Sequence, residues 1–560
     1  MTPPPPTVPS LPEDIDMTEA DRPGPRAIRS VGVLGGGTAG YLTAIALKKR
    51  FPHLDVTLVE SSTIPIIGVG EATTTLMPPF LHAQLGIDIL DFYREVRPTW
   101  KLGIKFDWGL PGDYFFTYPF GQTSTGESYS HDSDIRNQSF TSLLMMAGKS
   151  PIVRGETGSP ISLLPRLKVA YHLDNAPFVR FLSKHAASTG VQHLDAVIAD
   201  VVTSPDASQI ERLRTSDGRE LRFDLYVDAS GFRSRLLEQA LGVPFSSYAQ
   251  SLFCDTAVVA SVPQRSGIAP YTLAETMDAG WCWKIGVEGQ DHRGYVFSSA
   301  FMTEAQAHAE MRAKNPGMSE PWTVRFRSGR HQTFWKGNTV AIGNAYGFVE
   351  PLESTALHMV IVEIGYLLGC LEADGEPDIA FANAGVAGHW DYLRWFLALH
   401  YKFNRKLDTP FWKACRQDVD VSGIAPAIEH FQRHGTLSTD GARFQSGDPA
   451  FGYEGMMILL RGQKVDAPSE PPRITREAWE KRLAAQRELV QRALPQAEAL
   501  ALLHERPDLL VEFATSPGSW CKGRAETVSV SPRGSADDVH PRREPPVTMG
   551  ALEHLFAPVR

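Results

Sequence analysis

Residues 31 to 45 read VGVLGGGTAGYLTAI, and the reading of this stretch decides the fold. A β-type run, Val31 to Leu34, meets Gly35-Gly36-Gly37 and then a helical pattern that opens at Thr38-Ala39-Gly40. The spacing is that of a dinucleotide turn: Gly35 permits the tight turn, Gly37 lets the backbone approach a pyrophosphate, and Gly40 allows close helix packing. Free N–H groups at the helix start then face the anion. The next strand-like run, DVTLVE, ends at Glu60, roughly twenty residues after Gly40, where a carboxylate bonds the adenosine ribose hydroxyls.

Two later runs repeat the strand-then-glycine pattern. FDLYVDASG carries Asp228 and Gly231, and NTVAIGNAYG carries Gly343 and Asn344. Several such turns along one chain suit an extended FAD lying across a sheet, and strand ends that carry ligands are typical of α/β folds. The expected organisation is a disordered proline-rich tail at 1–27 and an FAD-binding domain at 28–384. Interleaved substrate segments fall near 107–165 and 241–325. A helical C-terminal substrate region follows at 385–515, and a mostly disordered tail at 516–560.

Composition limits the function classes. With 42% hydrophobic and 21% charged residues the 560-residue chain has an ordinary soluble globular composition. Its net charge of -9 lacks the basic footprint of a nucleic-acid binder. Five scattered cysteines without CxxC spacing argue against a zinc site or a disulfide framework, so no metal centre is expected and a reducing cytoplasm fits. No signal-peptide pattern opens the chain. The longest apolar run is cut by His358 and Glu363, which predicts no membrane span.

That apolar run has an unusual entrance, FVEPLEST at 348–355. Glu350 and Glu353 stand around Pro351, which a helix does not pass through, and Ser354 or Thr355 is a natural N-cap for a helix beginning near Ala356. Glu350 reads as structural. His358 and Met359 read as helix-packing residues.

Taken in order, five motifs resemble those of the flavin-dependent halogenases of the tryptophan-halogenase family: GGGTAG at 35–40, GVGEAT at 68–73, WKLGIKF at 100–106, GWCWKIG at 280–286 and FVEPLEST at 348–355. The resemblance runs from about Ile28 to about Arg461. It implies an FAD-binding domain like those of glutathione reductase and the aromatic hydroxylases. It further implies a two-component enzyme in which a separate NAD(P)H-dependent reductase supplies FADH2. A flavin hydroperoxide formed with O2 oxidises chloride or bromide to hypohalous acid, which Lys101 receives beside an electron-rich aromatic substrate. Without its motif, Lys101 reads as a surface ammonium beside Trp100.

Glu353 matches the carboxylate near the reacting centre, suited either to polarise the oxidant or to remove the proton from the arenium intermediate as a general base; without its motif it reads as a helix-start acid favoured by the macrodipole. Thr355 and Ala356 match the residues whose amides hold the halide, Ala356 standing where glycine is usual. Cofactor contacts carried over by the resemblance are Gly35, Gly37, Thr38, Ala39, Gly40, Glu60, Gly70, Glu71, Ala72, Val197, Asp228, Gly231, Gly343, Asn344 and Leu357. Trp281 and Trp283, two apart on a strand, share a face and line the cavity wall or an aromatic core. Gly286 replaces the usual proline of that signature, a change expected to loosen the local backbone. In DYFFTYPFG, 113–121, Phe120 matches an indole-sandwiching phenylalanine, and Tyr118 stands where histidine is expected.

The substrate that the resemblance implies is an indole, tryptophan or a related phenol or pyrrole, free or carrier-bound. A monomer or homodimer is expected. The alternative is a single-component flavin monooxygenase that hydroxylates an aromatic.

Overall fold

Burial on both faces of Ser30–Leu34 marks a central strand of a parallel sheet. In the computed structural model, which describes residues 28–64, 70–121, 139–264, 267–373, 377–437, 451–469 and 474–522, that strand is third of six. The sheet order is Gln192–Asp195, Asp55–Glu60, Ser30–Leu34, Leu225–Asp228, Thr339–Ala341 and Trp335–Lys336. The first five run parallel, and the sixth is antiparallel. The tail expected at 1–27 lies outside the described residues, as does the chain from 523.

The glycine turn is required by contact as much as by conformation. Gly35 has φ +128°, and a Cβ there would lie 2.2 Å from the Ala229 carbonyl oxygen. A Cβ on Gly40 would lie 1.9 Å from the Gly35 carbonyl oxygen, so the helix Thr38–Arg50 packs down onto the turn only with glycine at this position.

Two further sheets place the chemistry. A three-stranded sheet orders Glu71–Ala72, Ala170–Leu173 and Thr99–Lys101, so the second and third motifs lie on either side of one shared strand. A seven-stranded sheet orders Trp322–Arg325, Thr256–Pro263, Gln290–Phe297, Gly280–Val287, Thr272–Met277, Gly103–Asp107 and Phe116–Pro119. Gly286 belongs to an unbroken strand here. It pairs with Asp291, and its carbonyl accepts from the Thr99 hydroxyl at 2.8 Å, so the expected loosening is not found.

The apolar run of the fifth motif forms the helix Thr355–Glu372, beside the longer helix Ile379–Phe403. The first of these is long and apolar enough to cross a membrane, with a hydropathy of 1.4 over 18 residues, although His358 and Glu363 interrupt it. It is instead a core helix, with 72% of that window buried. From Ile379 to Thr515 helices dominate, interrupted by a short strand, Ala493–Pro495, that pairs with Lys149–Arg154.

Candidate active site

Lys101 ends the strand Thr99–Lys101 and is fully buried, so it is not a surface ammonium. Its Nζ donates to the Thr73 carbonyl at 3.0 Å and to Ser354 Oγ at 2.6 Å. Thr73 reaches it because its own amide and hydroxyl are tied to Tyr171 on the shared strand. Burial pushes the Lys101 ammonium down to about 7, against an opposing pull from the Glu353 carboxylate. The Phe120 ring centre lies 5.2 Å from Nζ.

Ser354 does not cap the helix in the way the sequence predicts. It sits at φ 60°, ψ 38°, a left-handed conformation that costs a non-glycine residue on the order of 1 kcal/mol. This turns its hydroxyl to Lys101, and no side chain caps Thr355–Glu372. The helix begins at Thr355, one residue early, and its first-turn N–H groups have no intrahelical acceptor. Thr355 is fully buried with its hydroxyl unpaired, whereas Ala356 is half-buried.

The two carboxylates of the motif part company. Glu350 Oε2 accepts from Trp281 Nε1 at 2.8 Å and from the Tyr401 hydroxyl, and burial raises its carboxyl to about 7. Glu353, only 3% exposed, is held through Oε1 by His400 Nε2 at 2.8 Å. His400 and Tyr401 are consecutive on Ile379–Phe403, so one turn of one helix holds both carboxylates. Sequence reading missed both residues. They lie some fifty positions from the motif inside a run legible only as helix, and no spacing links them to it.

Trp281 and Trp283 are both buried, with ring centres 5.9 Å apart. The Trp283 ring lies against Gly294 of the neighbouring strand, where a Cβ would meet it at 1.9 Å. Tyr118 is buried on Phe116–Pro119, and Phe120 follows two residues later. The Lys101, Ser354 and Phe120 contacts, together with Trp281 on Glu350, bring the third, fourth and fifth motifs to one place.

The cofactor residues form a second cluster. A Cβ on Gly37 would meet nothing within 4 Å, the Thr38 hydroxyl is buried and unpaired, and no side chain caps the helix that starts there. Open space, an orphaned donor and free helix amides fit a pyrophosphate. Glu60 lies over Gly36, held by the Tyr41 hydroxyl and His193, each at 2.7 Å. Gly343 approaches this turn, since a Cβ on it would lie 3.2 Å from that of Ala39. Its amide donates to Glu363 Oε2 at 2.6 Å, and Trp390 Nε1 donates to Oε1 at 2.9 Å. Glu363, which the sequence showed only as an interruption of the apolar run, therefore anchors the Gly343-Asn344 turn. Beside Asn344 a cavity of about 240 Å³ is lined by Phe232, Phe245, Arg325, Arg327 and Phe348.

Gly70 is buried under the His292 ring, and Glu71 is half-buried, its carboxyl raised to about 7 by burial and bonded by Asn175. Ala72 pairs with His172, and Leu357 is buried in the first turn of Thr355–Glu372. The preceding Gly68 and Val69 lie outside the described residues. Val197, 38% exposed, stands apart from the catalytic cluster beside the strand of Glu60. Asp228 is fully buried. Its carboxylate accepts the amides of Ser230, Leu236 and Leu237, which shapes the turn at Gly231.

The family model described as tryptophan halogenase matches residues 30–477. The chain belongs to the tryptophan-halogenase family. This halogenase is 34% identical over 472 residues to the tryptophan 6-halogenase SttH of Streptomyces toxytricini, covering 77% of this chain and 88% of that one. It is 32% identical over 437 residues to the tryptophan 7-halogenase RebH of Lentzea aerocolonigenes, covering 72% and 82%. Among solved structures it resembles MibH, a lanthipeptide tryptophan 5-halogenase, with a TM-score of 0.82 and 46% identity over 90% of this chain and 98% of that one. BrvH, a flavin-dependent halogenase from Brevundimonas sp. BAL3, aligns with a TM-score of 0.74 and 33% identity, covering 85% and 100%. The halogenase is thus flavin-dependent, and the hydroxylase alternative is not favoured.

Proposed function

We propose that this halogenase uses FADH2 from a separate reductase, O2 and chloride or bromide to halogenate the indole of a tryptophan held within a peptide. The observation that carries the halogenation chemistry is the buried Lys101, held between Thr73 and Ser354 and facing Phe120. Bound FADH2 supplies, with oxygen and halide, the oxidised halogen. The residues do the rest.

Gly37, Thr38 and Glu60 would hold the cofactor's pyrophosphate and adenosine end, and Gly343, Asn344 and Leu357 would contact it as well. The amides of Thr355 and Ala356 hold the halide at a helix start, where an anion is favoured. Lys101 receives hypohalous acid in a site from which burial excludes water. Phe120 and Tyr118 hold the indole by its faces, since a tyrosine ring stacks as a histidine ring does. Glu353 removes the ring proton. Trp281 and Glu350, bonded to each other and fully buried, back the site.

The peptide-borne substrate rests on the likeness to a lanthipeptide halogenase, 46% identical over nearly the whole of both chains, against 34% or less for SttH and RebH. Tyr118, in place of the histidine that the tryptophan-specific pattern leads one to expect, points the same way. The test is purified protein with FAD, a flavin reductase, NADH, oxygen and chloride or bromide, given free tryptophan or a tryptophan-containing peptide. Mass spectra are expected to show the halogen isotope pattern on the peptide. Hydroxylated products alone would overturn the halogenase reading, and halogenation of free tryptophan alone would overturn the peptide reading. Lys101→Ala is expected to bind FAD normally and lose product by about 100-fold or more.

A further inference from the structure

The helix Ile379–Phe403 brings His400 to Glu353 in a geometry that fixes where protons are. His400 Nδ1 lies 3.0 Å from the Phe396 carbonyl oxygen, which only accepts, so Nδ1 carries a hydrogen. His400 Nε2 lies 2.8 Å from Glu353 Oε1. An imidazole with its single hydrogen on Nδ1 would set a lone pair at Nε2 against a carboxylate lone pair. A contact of this length between buried groups, 1% and 3% exposed, therefore needs a proton between them. The pair holds one proton more than a neutral imidazole and a bare carboxylate, and as a unit it is uncharged.

The surroundings keep the pair isolated. Phe106, Trp108 and Phe396 pack on the imidazole at centroid distances of 5.3, 6.1 and 5.5 Å, and none of them ionises. The ionisable groups next along the network are Lys101, which reaches Ser354, and Glu350, which is occupied by Trp281 and Tyr401. Glu353 Oε2 makes no hydrogen bond among the described residues. One oxygen of Glu353 is held and the other is left open.

We propose that His400 is a positioning residue for halogenation: its Nε2–H fixes Glu353 Oε1 and leaves Oε2 as the oxygen that takes the ring proton. This rests on the reading of Glu353 as the base. The step balances simply. When the ring carbon has bonded the halogen, its C–H bond breaks, the electron pair returns to the ring, and the proton passes to Oε2. Glu353 becomes a neutral acid still bonded through Oε1 to the His400 imidazolium, so the proton is accepted without the carboxyl losing its place. Without His400, Glu353 is free to rotate, and the transfer depends on a geometry no longer held.

The test compares wild type, His400→Ala, His400→Gln and Glu353→Ala on the tryptophan peptide with protonated and ring-deuterated indole, with FAD binding and Tm as folding controls. Gln places an amide N–H where Nε2–H was. His400→Ala is expected to lower kcat by about 10- to 100-fold with KM and FAD affinity within about twofold. It is also expected to show a deuterium isotope effect on kcat larger than wild type, because ring deprotonation becomes limiting. His400→Gln is expected to recover at least about tenfold of the loss. Wild-type rates in His400→Ala, a fall in kcat with no added isotope effect, or no recovery in His400→Gln would each overturn the proposal. Full activity in Glu353→Ala would remove the base reading and this role with it, and absence of halogenated product from wild type would instead remove the proposed function.

Discussion

At the scale of single residues, the buried lysine makes a prediction about stability that is separate from its chemistry. The ordinary lysine value of 10.5 is brought down to about 7 in the folded chain, chiefly by burial. Between those pH values the unfolded chain keeps a proton that the folded chain has shed, so this group makes stability rise with pH across the window. Below about 7 the lysine is charged in both states, and the full cost of the buried charge is present. Lys101→Met removes that charge at similar length. It is expected to stabilise the protein more at pH 6 than at pH 9, by a difference on the order of 2 kcal/mol. Denaturant midpoints at the two pH values measure it, and equal gains would contradict a depressed lysine.

Ala356 gives a second prediction at this scale. Because the backbone amide is the donor, Ala356→Gly is expected to alter the apparent halide KM by less than about tenfold and leave FAD binding intact. Competition assays with mixed chloride and bromide check it. The motifs that carry Lys101 and Glu353 were readable in the sequence. The burial of Lys101 was not, because the strand Ala170–Leu173 and the residue Ser354 that enclose it lie about 70 and 253 residues away. His400 was unreadable for the same reason.

At the scale of elements, the helix Thr355–Glu372 works at both ends of its first half. Its start offers free amides, and two turns on, Glu363 holds the Gly343 amide and the Trp390 indole. Burial raises the Glu363 carboxyl from its ordinary value to about 8. The folded chain then binds more protons than the unfolded one between about 4.5 and 8, so this group makes stability fall as pH rises through that interval. Glu363→Gln keeps the shape and cannot ionise. Its Tm relative to wild type is expected to improve steadily from pH 5 to pH 8, whereas Glu363→Ala is expected to lose on the order of 2–4 kcal/mol at pH 7 by orphaning two buried donors. A Gln variant whose difference from wild type is flat with pH would show that Glu363 ionises normally.

The sequence placed the start of this helix to within a residue, because Pro351 and the apolar run bound it. It misread the cap. Ser354 has the right side chain for capping, and a tertiary contact with Lys101 outcompetes the local bond.

At the scale of the whole molecule, the middle of the six-stranded sheet was legible because Ser30–Leu34, Leu225–Asp228 and Thr339–Ala341 each run into a turn with a positive-φ glycine, and glycine spacing survives in one dimension. The seven-stranded sheet was not. Its key pairing sets Thr272–Met277 parallel to Gly103–Asp107, strands separated by about 170 residues, and no local pattern encodes that register. Yet this pairing brings the fourth motif beside the third and so builds the site. The same enclosure accounts for the cysteines. Cys254, Cys282, Cys370, Cys415 and Cys521, scattered through the sequence, are all free and all buried. Burial raises every one of these thiols, Cys370 to about 11 and Cys282 to about 12, so the reactive thiolate is scarce as well as shielded. A thiol reagent at pH 8 is expected to label the native protein only as fast as it opens, and to titrate five thiols in denaturant. Cys370 lies on the helix Thr355–Glu372 and Cys282 on the strand of the two tryptophans, so both report on elements that carry residues of the proposed site. A ligand that binds only the closed form lowers the open population. Saturating FAD is therefore expected to slow labelling of these two cysteines, read by mass spectrometry of digested protein. Rapid labelling of either in the FAD-bound native state would show that these elements open independently of the cofactor.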